Sequence, residues 1–94
     1  MIRSFADGAL KRFWERGSAK GIDPKSLPKI RRILERLNVI CDPCEMDLPG
    51  YHFHPLKHDR SGQYAVTVRA NWRIVFEWDG QYVVRVRQED YHGD

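Results

Sequence analysis

This chain of 94 residues has little of what would make several function classes simple to assign. It has only two cysteines, Cys41 and Cys44, too few for the disulfide scaffold of a small secreted domain. No apolar run approaches the length of a membrane span, and Arg3, Phe5 and Asp7 are poor company for a signal peptide. The expected compartment is therefore the cytosol, with no membrane partner. There is no Walker loop, dinucleotide fingerprint, serine triad or H-E-x-x-H helix, and no repeat or low-complexity tract. Nothing in the chain asks for a cofactor.

The composition, 41% apolar and 12% aromatic, suits one folded domain spanning residues 1–94. The formal charge of +3 is unevenly spread. Residues 11–36 carry nine basic side chains against Glu15, Asp23 and Glu35, a net of +6, so the remainder is −3. Such a basic face attracts nucleic acid or an acidic protein, although a merely solvated helix surface would look the same. Lys29 and Arg32 are its candidate nucleic-acid contacts. The Cys41-Asp42-Pro43-Cys44 loop follows a helix and leads into a proline-rich stretch. A redox pair belongs at a helix start, and zinc would need two further ligands at a spacing His52 and His54 do not supply. The thiols are read as having no role, and no metal is expected.

Hydrophobic periodicity gives an outline of the fold. Ile2–Phe5 alternates and reads as an opening strand. Asp7 caps a helix with Leu10, Phe13 and Trp14 on one face, ended by Gly17. Asp23 and Pro24 open a second helix, with Pro28 in its first turn and Leu27, Ile30, Leu34 and Leu37 buried. Beyond an irregular stretch at 41–50 the period becomes two. Strands are predicted around Tyr64–Arg69, Trp72–Trp78 and Tyr82–Arg87, joined as an antiparallel meander.

Matching apolar to apolar across the strands pairs Val68 with Ile74, Val66 with Phe76, Phe76 with Val84 and Ile74 with Val86. Both hairpins then have odd-numbered loops, and Asp79-Gly80 is not a plain two-residue turn. On this register Arg69, Arg73 and Arg87 become neighbours on the face away from the helices. With Arg85 they are candidates to hold a phosphate, although surface arginines are common without one.

The segment Arg87-Gln88-Glu89-Asp90-Tyr91-His92 sets an acid, a phenol and an imidazole side by side after the last strand. His54-Pro55-Leu56-Lys57 adds a second imidazole and a cation. Metal-free RNA cleavage by the 2′-hydroxyl needs a base, an acid for the leaving 5′-oxygen, and cations for the charged transition state. His54 and His92 are the imidazole pair, because an unperturbed histidine titrates near pH ~6.5. Lys57 and Arg73 would stabilise phosphate, Tyr91 would stack on a base or orient substrate, and Asp90 would accept a proton or fix an imidazole. Taken singly, each has a bland reading: a satisfied strand histidine, a charged turn, a polar tail. Only their conjunction suggests catalysis.

The opening Met1-Ile2-Arg3-Ser4-Phe5, His54-Pro55-Leu56-Lys57, the Asp59-Arg60-x-Gly62 turn, Val68-Arg69-x-Asn71-Trp72-Arg73-Ile74-Val75-Phe76 and Asp90-Tyr91-His92 together resemble HigB-type toxins of the RelE/ParE superfamily. The resemblance spans nearly the whole chain. It implies an α+β, microbial-ribonuclease-like fold with two N-terminal helices on an antiparallel sheet. It also implies a ribosome-dependent mRNA endonuclease, silenced by a HigA-like helix-turn-helix antitoxin, with His54, Lys57, Arg73, Asp90, Tyr91 and His92 acting on RNA in the ribosomal A site. One departure is His58, where such toxins often have glycine before Asp-Arg; a positive φ there would suit histidine less well. The rival readings are a non-catalytic gyrase poison of the ParE type and a plain RNA-binding module.

Overall fold

The computed structural model describes residues 1–91. Helix α1 runs Gly8–Arg16. Asp7 caps it by accepting from the N–H groups of Ala9 and Leu10, and Gly17 ends it at φ 74°. The other oxygen of Asp7 accepts from the backbone and side-chain nitrogens of Gln88 at 3.0 and 3.1 Å, so one carboxylate both caps the helix and pins the sheet.

The second helix, α2, begins later than expected, at Leu27, and runs to Leu37. Asp23 caps a separate 3-10 turn over Pro24–Ser26. The reason is Pro28, which has no N–H to give the Pro24 carbonyl; the Leu27 N–H takes that acceptor instead, and the α-helix starts after it. Ile30, Ile33, Leu34 and Leu37 are buried, and Leu27 is half-buried.

The sheet holds β1 (His54–Pro55), β2 (Gln63–Arg69), β3 (Trp72–Trp78) and β4 (Val83–Asp90), antiparallel in that order. Strand β1 is an addition to the predicted meander; its proline sits at the sheet edge, where a missing donor does least harm. Both helices pack on one face: Leu10, Phe13, Ile30, Ile33, Leu34 and Leu37 meet Val66, Val68, Ile74, Phe76, Val83 and Val86. Phe53, Tyr64 and Phe76 stack in series, with centroids 5.8 and 5.5 Å apart. Met46, from a 3-10 turn at Pro43–Met46, is fully buried in this core.

The expected opening strand is not one. Residues 1–6 make two isolated parallel bridges to β4, Ile2 with Val83 and Phe5 with Val86. Between those partners β4 bulges at Arg85, whose φ is 55°, so no continuous ladder can form. The N–H of the bulged residue is taken by Ser4 Oγ at 2.9 Å.

The predicted register is also corrected. Val66 meets Ile74 and Tyr64 meets Phe76, two residues away from the expected pairing, and a bulge then leaves Arg69 opposite Trp72. In the second hairpin Val75 faces Arg87 and Arg73 faces Glu89. The loops hold two residues (70–71) and four (79–82), not odd numbers, because the bulges absorb the parity. Asp79-Gly80 is indeed no two-residue turn: Trp78 pairs with Val83, and Asp79 Oδ1 accepts from the N–H groups of Gln81 and Tyr82. Charge explains the choice. The observed register sets arginine against glutamate, whereas the expected one set arginine against arginine.

Candidate functional site

The face of the sheet away from the helices is polar above a floor of Ala65 and Val75, both fully buried. Strand alternation puts Gln63, Arg73, Glu77, Arg87 and Glu89 there. Glu89 is the hub. Arg60 grips it with both terminal nitrogens, Arg73 Nη2 donates to its Oε1 at 2.9 Å, and Arg87 Nε lies 3.5 Å from its Oε2. The hydrogen bonds from Arg60 are the largest reason, and those from Arg73 a further one, that its carboxyl is held down at about 2. It is therefore a fixed negative charge.

An open groove of about 420 Å³ lies beside this network, lined by His54, Pro55, Leu56, Lys57, His58, Asp59, Arg60, Arg73 and Tyr91. Arg73 is the buried cation of the groove, 7% exposed, its guanidinium carbon 4.1 Å from the centroid of the Tyr91 ring. Its Nε–H is buried and has no hydrogen-bond partner among the described residues. Tyr91 is brought there by its backbone N–H, which donates to Asn71 O in the β2–β3 turn at 2.6 Å.

His54 and Lys57 are exposed along the groove. His54 Nδ1 lies 2.9 Å from the His52 carbonyl. A carbonyl only accepts, so Nδ1 carries the hydrogen and Nε2 keeps the lone pair of the neutral ring. His52 itself is at φ 47°, a left-handed conformation that a side-chain-bearing residue seldom takes. His58 is at φ 60°, so the turn that favours glycine is here made by histidine.

Of the residues singled out from sequence, His54, Lys57, Arg73 and Tyr91 thus share one groove. Asp90 does not line it; it ends β4 opposite Trp72 and alternates away from Glu89. His92 lies outside the described residues. The arginine row is not a row: Arg69 turns toward the helices and pairs with Asp23 at 3.4 Å. Arg87 is engaged by Glu77, Gln63 and the Arg85 carbonyl, and Arg85 by Glu77. Lys29 is a strut, donating to Gly50 O at 3.0 Å beside the Tyr51 ring; partial burial, then Arg32, lowers its affinity for its proton. Arg32 stays exposed on α2.

The match to known proteins decides the family. The profile described as the RelE-like toxin of the type II toxin–antitoxin system HigB covers residues 3–92. This chain belongs to the HigB-like toxin family. Endoribonuclease HigB of Proteus vulgaris is 36% identical over 92 residues, which span 98% of this chain and 100% of that protein. Among solved structures, YafQ from Escherichia coli strain BL21(DE3) superposes with a TM-score of 0.58 at 18% identity, over 96% of this chain and 91% of that one. YafQ in the E. coli DinJ–YafQ toxin–antitoxin complex gives 0.54 at 17%, over 96% and 90%. At those identities the likeness is one of fold, and it agrees with the α+β architecture expected from the sequence.

For this HigB-like toxin, Arg60 and Glu89 join the site although the sequence singled out neither: Arg60 stood only within the Asp59-Arg60-x-Gly62 turn, and Glu89 only within the C-terminal segment. A signal existed. Requiring opposite charges across β3 and β4 selects the register in which Arg73 meets Glu89. Cys41 and Cys44 are exposed and unbonded, and Asp42 pushes the Cys44 thiol up by accepting its hydrogen bond, the wrong direction for a reactive thiolate. Among the described residues no group of three or more histidine, cysteine or acidic side chains is placed to hold a metal ion, and no helix is long and apolar enough to cross a membrane.

Proposed function

We propose that this toxin is a ribosome-dependent endoribonuclease that cuts translated mRNA in the ribosomal A site, using no metal. The observation that carries the reading is the groove in which a buried arginine, its Nε–H without a partner among the described residues, lies within one cleft with Lys57, Tyr91 and an imidazole whose Nε2 is the basic nitrogen. The name of the P. vulgaris relative, an endoribonuclease, supports the same activity.

In this reading the 2′-hydroxyl loses its proton to a base and its oxygen attacks the adjacent phosphorus. The bond to the 5′-oxygen breaks, and that oxygen leaves with a proton from an acid. The products are a 2′,3′-cyclic phosphate and a 5′-hydroxyl. His54 Nε2 and His92 are the proposed groups for the two proton transfers, and Asp90, which does not line the groove, would act by fixing an imidazole. Arg73 and Lys57 carry the charge that builds on the phosphate oxygens, each such donor being worth about 10²–10³-fold in kcat. Tyr91, stacked on Arg73, has an aromatic face for an unpaired base.

The proposed partners are a HigA-like helix-turn-helix antitoxin, the mRNA, and ribosomal RNA met by the basic helical face that includes Arg32. Arg69, Arg85 and Arg87 are engaged with protein carboxylates and have at most a secondary part in RNA binding.

The test is primer extension on a translated message with and without ribosomes, using wild type, Lys57→Ala, Arg73→Ala and His92→Ala. Cuts at codon positions only with ribosomes, lost in the variants, are expected. Full cleavage by all three variants, or a supercoiling defect without cuts, would sink the reading.

A further inference from the structure

Arg73 is held more elaborately than a surface cation requires. It is 7% exposed, yet among the described residues only one of its N–H groups reaches a carboxylate, Nη2 to Glu89 Oε1 at 2.9 Å. Its Nε–H is buried and has no partner among the described residues, a penalty relieved if an acceptor enters the groove. The face of the guanidinium is taken by the Tyr91 ring.

Glu89 has no capacity beyond this holding. Its Oε1 accepts from both Arg60 and Arg73; its Oε2 accepts from Arg60 and faces Arg87 Nε. A carboxylate so occupied and so acidic is no proton acceptor near neutrality. Arg60 is fixed in turn by Gln63, whose Oε1 takes its Nε at 2.9 Å and Arg87 Nη2 at 2.8 Å. A two-pronged arginine–carboxylate pair defines an angle as well as a distance.

We propose that Glu89 and Arg60 are positioning residues for the cleavage reaction, aligning Arg73 so that its buried Nε–H meets the scissile phosphate. The proposal rests on the nuclease reading above and extends it to two residues outside the groove's proton-transfer groups. Glu89 acts through Arg73, and Arg60 acts through Glu89. Because displacement of a catalytic group by about 1 Å costs on the order of 100-fold, loosening the clamp lowers kcat. Substrate affinity should hold or rise, because removing the Glu89 charge leaves the groove more positive.

The experiment compares wild type, Arg73→Ala, Glu89→Gln and Arg60→Lys in ribosome-dependent cleavage, with kcat corrected for the folded fraction measured by denaturation. Arg60→Lys keeps the charge and loses the two-pronged grip, so it tests geometry even if Glu89→Gln folds poorly. Expected are a 10–100-fold fall in kcat for Glu89→Gln and about tenfold for Arg60→Lys, with KM unchanged or lower. In a ¹⁵N-arginine spectrum the Arg73 Nε–Hε resonance should be rigid in wild type, shift on titration with inorganic phosphate, and become mobile in both variants. If kcat per folded molecule stays within twofold of wild type in both variants while Arg73→Ala is inactive, the clamp is refuted and the nuclease reading stands. If Arg73→Ala alone also cleaves normally, Arg73 has no part in the reaction and the clamp falls with it; only normal cleavage by Lys57→Ala and His92→Ala as well overturns the nuclease reading.

Discussion

Replacing Glu89 with glutamine should flatten the acid limb of this protein's stability curve. The carboxyl titrates at about 2 in the fold against an ordinary 4.5, because Arg60 and Arg73 bond to its charged form. A folded value below the unfolded one gives stability that is present above pH ~4.5 and is lost as pH falls through about 2. At about 1.4 kcal/mol for each tenfold change in proton affinity, full expression would be about 3 kcal/mol. Arg60 is 35% exposed and water screens its share, leaving about 2 kcal/mol. Urea unfolding of wild type and Glu89→Gln between pH 6 and pH 2.5 measures this directly. The variant should be less stable by about 2 kcal/mol at pH 6, a loss that a domain of ~5–15 kcal/mol survives, and the two should converge in acid. Other carboxylates titrate in both proteins and cancel in the difference. A gap that stays constant down to pH 2.5 would show that Glu89 is not held by charge.

Three further outcomes are expected of the same fold. Asp7→Ala should lose about 2–3 kcal/mol by thermal denaturation, because the cap and the bonds to Gln88 go together, while Asp7→Asn should lose less by keeping an oxygen for the cap; equal losses would mean the cap contributes nothing. His58→Val should cost about 1–2 kcal/mol at φ 60° and His58→Gly should not, which urea denaturation separates; a glycine variant as unstable as the valine one would remove the strain argument. Long-range ¹⁵N–¹H spectra should find neutral His54 protonated at Nδ1, and an Nε2–H tautomer would end its proposed role as a base through Nε2.

Glycine and aspartate marks told the limits of α1 correctly, and the apolar stripe told the buried side of α2, because helix signals act between near neighbours. The three long strands were legible for the same reason. The site was legible in part: His54 and Lys57 are three residues apart, so a common location was implied by the chain itself.

What the sequence determined alone was the set of elements and the chemical groups available to them, since propensity, capping and periodicity are local. What the tertiary structure decided was which groups meet. Two bulges, one of them at Arg85 with its positive φ, reset the register and exchanged a predicted line of like charges for arginines shared among Glu77 and Glu89. Pairing across strands depends on the free energy of the whole face, in which desolvated arginines must find carboxylates, and that sum can be evaluated only once the strands lie side by side.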